Sequence, residues 1–286
     1  MKMESFTLFI FPFFFIFLFL VEQINPLRKK TKPVLKRFFI NLTLTGIVFI
    51  VGGLVVRNVG LGTSKWISAR DLGLLFFFPL PQWANILIGF LLFDLTFYYW
   101  HLANHRIPLL WRFHNVHHID PDLDVSTSFR FHFVEIAYSS FFRVFQVFVI
   151  GATPLTYVIY ETVFMCGTML HHSNIKLPLK IEYYLNKVVV TPRMHGIHHS
   201  DVKDETNSNY SVLFSFWDKL HKSLVLNIPQ STIKIGVPGY QLTQDNQLFR
   251  LFIMPFISQR QYWHNKDGLL PQSNRNKNFK KTTMIE

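Results

Sequence analysis

Five long apolar runs divide this sequence, and polar breaks between them mark the ends of candidate helices. Phe6 to Val21 (FTLFIFPFFFIFLFLV) is almost wholly apolar, slightly short of the roughly 17–25 residues of a spanning helix. A signal peptide is the rival reading. The run ends Phe19-Leu-Val-Glu-Gln23 without a small-residue cleavage pattern, so a retained membrane helix is expected. Phe38 to Val56 forms a second run, with Asn41 as its main polar interruption, and Ala84 to about Tyr99 a third that leads directly into His101. Ile136 to Ile150 and Leu155 to Leu170 form the fourth and fifth, and Gly151-Ala-Thr-Pro154 between them predicts a tight reversal. Leu72 to Leu80 is too short to span and, with Pro79 and Pro81, reads as an interfacial segment.

Composition agrees with a membrane protein. The chain is 49% hydrophobic and only 16% charged, against roughly 25% charged in soluble domains. The net charge of +12 raises the question of nucleic acid, but its distribution answers it. Arg28, Lys29, Lys30, Lys32, Lys36 and Arg37 crowd one loop between the first two runs. That is the positive-inside signal of a cytoplasmic loop, and a solvated charge run is compatible with it. No nucleic-acid groove is expected there. Counting spans from this loop puts His101 onward on the cytoplasmic face, returns the chain there at His171 after the 136–170 pair, and leaves about 176–286 on the same side. The fold class expected is all-α: an integral membrane helical bundle, in the inner or plasma membrane, with a cytoplasmic helical cap. The tail from about Ser273 reads as a disordered basic end. The sole cysteine, Cys166, lies in an apolar run, so no disulfide or thiolate ligand is expected.

Histidine carries the chemistry. Ten of the thirteen histidines fall in four clusters: His101/His105, His114/His117/His118, His171/His172 and His195/His198/His199. At 100° per residue, His101 and His105 stack on one helical face, and each triplet falls within an arc of roughly 100°. Each triplet is therefore expected to present three nitrogens to one centre. Imidazole suits iron, zinc, copper and nickel alike. These eight rings exceed the need of one ion, since a tetrahedral zinc site takes about four ligands, and two metals are the economical reading. Adjacent residues on a helix diverge, so one of His171 and His172 is expected to bind, with His171 favoured. His132 stands open between ligand, outer partner and interfacial side chain. His221 and His264, without cluster partners, are expected at the surface. Asp94, Asp124, Glu135, Asn174, Asn209 and Asp218 are candidate partners for the second imidazole nitrogens; for Asp218 a helix or turn cap is the alternative. Asp94 sits inside an apolar helix, where a carboxylate is costly and reads as functional.

The clusters and their flanks resemble the fatty acid hydroxylase/sterol desaturase superfamily of membrane di-iron enzymes, in particular its bacterial members. The resemblance rests on Leu110-Trp-Arg-Phe-His114-Asn-Val-His-His118, Thr127-Ser-Phe-Arg-Phe-His132, His171-His-Ser-Asn174, Thr191-Pro-Arg-Met-His195-Gly-Ile-His-His-Ser200, Glu205-Thr-Asn-Ser-Asn209-Tyr210 and Phe216-Trp-Asp218. It runs from about 85 to 223, which implies N-terminal membrane helices and basic loop over 1–84, a hydroxylase-like catalytic domain over 85–223, and a cytoplasmic extension over 224–286. Phe133, Ile119 and Leu220-His-Lys222 depart from the family pattern without touching an expected ligand. The resemblance implies two iron ions, replaceable by zinc on purification, with O2 as co-substrate and hydroxylation or desaturation of an unactivated C–H bond in a membrane lipid. It also implies an external electron donor, a ferredoxin or a b-type cytochrome with its reductase. The alternative is a polytopic membrane protein that binds or transports metal without oxygenase activity. Transport needs ligands within the bilayer on a crossing path, whereas these clusters lie at or beyond the ends of the apolar runs.

Overall fold

The structure, a computed structural model, describes residues 3–51 and 58–285, with only the backbone described for residues 3–9 and 51. The first apolar run forms α1 (Met3–Ile24) and the second forms α2 (Val34–Val51). The end of that second run, residues 52–56, lies outside the described residues. Next comes α3 (Asn58–Ser68), which the apolar runs did not announce. It packs closely on α6 and α7 because its buried face is small: a Cβ at Gly60 would overlap the Tyr157 ring, and Ser64 Oγ donates to the Ala152 carbonyl.

The third run continues without a break through the first histidine pair, forming α4 (Gln82–Arg106). It stops at Ile107, whose successor Pro108 disfavours helical backbone before it and opens α5 (Pro108–His118) at its first turn. The fourth and fifth runs form α6 (Phe133–Ile150) and α7 (Pro154–His172). The predicted reversal between them is present. Gly151 takes the left-handed conformation at φ 74°, the Thr153 side chain caps α7, and Pro154 occupies its first turn. Gly151 also abuts Gly73, where a Cβ would meet backbone at 2.3 Å. The 72–80 segment contains only one 3-10 turn, Leu74–Phe77, as its length required.

Among the described residues, α4 and α6 are the two helices both long and apolar enough to cross a bilayer, and neither is mostly buried. Large apolar side chains stand outward along them, Trp83 at 70%, Phe141 at 76% and Phe145 at 62% exposed, and Phe13 of α1 does the same at 74%. Contiguous apolar surface on this scale marks an interaction face. Buried between the helices, Phe93, Val147, Tyr157 and Tyr160 form the main core. Arg143 of α6 meets Glu161 of α7 at 2.7 Å inside this packing.

The polar end of the molecule is built from α8 (Leu179–Leu185), α9 (Pro192–His198) and short turns α10 (Lys203–Thr206), α11 (Phe216–Leu220) and α12 (Leu248–Ile253). No strand is formed among the described residues; three isolated bridges occur instead. The tail corrects an expectation. From Ser273 onward it was expected to be disordered, but it returns across this end. Leu226 N–H donates to the Lys281 carbonyl, Arg275 donates to Asn227, and Met284 is buried against Val190, Met194 and Leu224. A basic composition concealed one apolar anchor, Met284, and a set of backbone bonds that composition does not encode.

Candidate metal centre

Nine histidines converge from α4, α5, α7 and α9 into two groups, and within each the potential ligand atoms lie within 4.8 Å of one another. The first group is His101, His105, His114, His118 and His198; the second is His117, His172, His195 and His199. The expectation that each triplet serves one centre is corrected here, and helical geometry gives the reason. Positions i and i+4 are about 40° apart around a helix, whereas i+3 lies about 60° to the other side. Each triplet therefore sends its i, i+4 pair to one group and its i+3 ring to the other. His114 and His118 join the first group while His117 crosses to the second; His195 and His199 join the second while His198 crosses to the first. The two helices interlock through this exchange. The i, i+4 pair of α4, His101 and His105, completes the first group.

In five of the nine rings the second nitrogen is held by an acceptor, whereas Nδ1 of His195 and of His199 is buried without a partner. Nδ1–H of His101 donates to the Tyr210 carbonyl at 2.8 Å, that of His198 to the Ser208 carbonyl at 2.7 Å, and that of His114 to the Glu135 carboxylate at 2.7 Å. In the second group, His117 donates to the Arg130 carbonyl at 3.3 Å and His172 to the Thr168 carbonyl at 2.8 Å. A carbonyl can only accept, so the neutral rings of His101, His117, His172 and His198 carry their hydrogen on Nδ1 and turn a bare Nε2 lone pair inward. Nε2 of His114, His118 and His198, and both nitrogens of His105, are buried without a hydrogen-bond partner. Burial, followed by the fields of neighbouring imidazoles, pushes His117, His118, His195 and His199 well below the usual imidazole range. Buried, neutral, inward-facing lone pairs are costly unless something electron-poor lies between them. In the second group Nε2 atoms approach at 3.0–3.1 Å, which matches neighbouring ligands of one ion with metal–nitrogen bonds of about 2.0–2.1 Å. The residues present fit a metal in each group.

The remaining expected residues separate by position. Within the adjacent pair the expected order is reversed. His172 enters the second group, whereas His171 spends Nδ1 on the Val212 carbonyl and packs on the His195 ring, in neither group. His132 belongs to neither as well. It caps α6, accepting from Val134 N–H, and its other nitrogen pairs with the Phe252 carbonyl. Of the polar candidates, Glu135 alone touches a grouped imidazole. The others act on backbone. Asp218 accepts the N–H groups of Tyr210 and Ser211, both at 2.8 Å, fixing the peptide that holds His101. Asn209, in the left-handed region at φ 54°, is pinned to Met194 and Val225 by three hydrogen bonds. Asp94 accepts from Phe214 N–H and the Trp217 indole. Asn174 bonds the backbone of Arg28 in both directions. Asp124 pairs with Arg37.

Residues that sequence reasoning missed are mostly backbone. Ser208, Tyr210 and Val212 give alternate carbonyls to His198, His101 and His171, and nothing in their side chains announces it. Arg37 and Arg28, within the basic loop, are buried and do more than carry loop charge. Arg37 is buried and ion-paired with Asp120 and Asp124 at 2.6 Å each. Arg28 is buried against Gly196, between His195 and His198.

The fatty acid hydroxylase family model matches residues 86–223, the stretch that holds every grouped histidine. The chain is 28% identical to an ornithine lipid hydroxylase of Rhizobium tropici over 56% of its length and 47% of that protein. It is 30% identical to cholesterol 25-hydroxylase of Mus musculus over 54% of its length and 51% of that protein. It is 26% identical to alkylglycerol monooxygenase of Danio rerio over 87% of its length and 53% of that protein. The chain thus spans about half the length of these curated relatives. No solved structure matches it. With the motif order and these matches in agreement, residues 86–223 form a fatty acid hydroxylase domain.

Proposed function

We propose that this protein is a membrane-bound, di-iron, oxygen-dependent oxidoreductase that hydroxylates or desaturates a lipid at an unactivated C–H bond. The observation that carries the reading is the pair of interlocked imidazole groups, in which five rings commit Nδ1 outward to an acceptor and turn Nε2 inward. Nine imidazole nitrogen donors suit iron. Iron bound there would supply the redox chemistry that activates O2.

The chain's own residues supply position and environment. Carbonyls of Ser208, Tyr210, Arg130 and Thr168 and the Glu135 carboxylate fix ring orientation and tautomer, the outer support that metal-bound histidine ordinarily has. Trp111 and Phe131 lie against His105, His118 and His117 and keep bulk water from the groups. A histidine-only donor set also spares the site the sulfur oxidation that thiolates would undergo.

The substrate is proposed to reach the site from the bilayer along the outward apolar faces of α4 and α6. The relatives' names give three different lipids: ornithine lipid, cholesterol and alkylglycerol. A lipid is therefore the substrate class. The bundle is read as polytopic, with the histidine groups on the cytoplasmic side with the basic 28–37 loop. Electrons are assigned to a separate ferredoxin or b-type cytochrome.

Comparing the lipids of a strain lacking this protein with its parent tests the reading. A lipid that loses one oxygen or one double bond in the deletion, and regains it with the intact gene but not with His118→Ala, names substrate and reaction. An unchanged lipid profile with altered metal uptake would favour the transport reading instead.

A further inference from the structure

A cavity of about 250 Å³ lies between the α1–α2 loop and the chain from Ile233 to Gln241. Arg28, Lys29, Lys30 and Lys32 line one side and Lys234 the other, with Asp122 as the one carboxylate among the lining residues. Asp122 is occupied with the loop itself, accepting Thr31 N–H at 2.8 Å and Lys32 N–H at 3.0 Å. Arg28 turns its guanidinium away, to Gln230 and Gly196, so one carboxylate stands against four lysines. None of the four lysines is in an ion pair among the described residues. Lys30 donates to the neutral Gln23 amide.

Four lysines around one concavity make its potential positive and favour an anion there. Separated ammonium donors on opposite walls suit a group with several acceptor oxygens, such as a phosphate, better than the two of a carboxylate. The loop is also flanked by apolar side chains open to the surroundings, Ile24 before it at 83% exposed and Leu35 after it at 72%. That order, apolar, basic, apolar, places the cavity where headgroups meet acyl chains.

We propose that this cavity is a binding site for a phosphate group, carried by an anionic membrane lipid. The lipid source rests on the membrane reading above; the phosphate chemistry does not. The site is separate from the imidazole groups but linked to them, because Asn174, which also lines the cavity, holds Arg28 and follows His172 by two residues.

Native mass spectrometry of the full chain in detergent tests the site, with phosphatidylglycerol, phosphatidylcholine or inorganic phosphate added at equal ionic strength. Phosphatidylglycerol is expected to stay bound where phosphatidylcholine does not. Each exposed lysine near a lipid surface contributes about 1 kcal/mol, roughly fivefold in affinity, so K32Q/K234Q is expected to bind roughly 25-fold more weakly. The charge-matched K65Q/K277Q, at two lysines that do not line the cavity, is expected to bind as the unmodified chain does. Unchanged metal content in both variants shows that they fold. Inorganic phosphate that competes in the unmodified chain but not in K32Q/K234Q supports the phosphate chemistry even if lipid shows no preference. Equal behaviour of the two double variants toward both phosphatidylglycerol and inorganic phosphate overturns the proposal.

Discussion

The Nε2 atoms of His117 and His172 stand 3.0 Å apart although each ring has committed its Nδ1 hydrogen to a backbone carbonyl. Two lone pairs that face each other at this distance in a buried site repel. A proton between them is disfavoured, since burial and then the field of His172 hold His117 well below the usual imidazole range. A metal ion held between them would resolve the conflict. His172→Ala is therefore expected to lower metal content from about two ions per chain to about one, by the ligand needs of a single site. His171→Ala and His132→Ala, whose rings sit outside both groups, are expected to retain about two. Elemental analysis of the three purified variants checks this. Loss of metal in His171→Ala with retention in His172→Ala would reverse the assignment.

Among the described residues Glu135 is the sole carboxylate bonded to a grouped imidazole, and the bond joins the start of α6 to His114 of α5. Its oxygen orients the ring and raises its basicity as a ligand. Glu135→Gln keeps the volume and an acceptor oxygen but loses the charge. Removal of such an outer partner costs about 10- to 100-fold in metal affinity. A competitive chelator titration is expected to strip the first group of E135Q at correspondingly lower chelator concentration, while His132→Ala behaves as the unmodified chain.

The helices and the histidine clusters were legible because both are periodic. Apolar runs marked α1, α2, α4, α6 and α7, and i, i+4 spacing marked the paired rings. The interlocking of the triplets was not legible, because it depends on how α5 and α9 face each other, and spacing alone permits three rings on one centre. The preference for His171 over His172 failed for the same reason: adjacent rings diverge by about 100°, and only packing decides which one turns inward. Asp94, Asn174, Asn209 and Asp218 were singled out by residue type, yet they hold loops whose carbonyls hold the rings. Carbonyls have no sequence signal. Arg37 and Arg28 were read as part of a charged loop because a run of basic residues does not reveal which members fold inward.

Arg37 of α2 reaches Asp120, just after His118, in a pair buried on both sides. Burial alone would raise the Asp120 carboxyl; the Arg37 and Arg130 guanidinium groups overcome it and hold it below its ordinary range. The stabilisation is therefore fully present above the unfolded carboxylate value of about 3.9 and is lost as pH falls below it. Asp120→Asn leaves Arg37 with a weaker partner, and breaking a buried pair costs about 3–5 kcal/mol. Thermal unfolding in detergent is expected to show a lower midpoint for D120N at pH 7. It should also show a flatter midpoint-against-pH curve than the unmodified chain below about pH 4. Parallel curves would remove Asp120 from the acid response.

Gly196 lies between His195 and His198, which serve different groups, and a Cβ there would stand 2.2 Å from Nη1 of Arg28. That nitrogen is held by the Gln230 side chain at 2.7 Å, so the guanidinium has little freedom to withdraw. Gly196→Ala must then shift α9 as a unit. Because α9 supplies rings to both groups, G196A is expected to lose both metals together, in contrast to His172→Ala, which empties one group. Shortening the obstacle separates this from a general intolerance of alanine: Arg28→Ala/Gly196→Ala removes the overlap and is expected to recover metal relative to G196A alone. Metal-to-protein ratios of the two variants, measured beside circular dichroism to confirm equal helix content, decide the matter. No recovery in the double variant would mean that Arg28 does not set the position of α9.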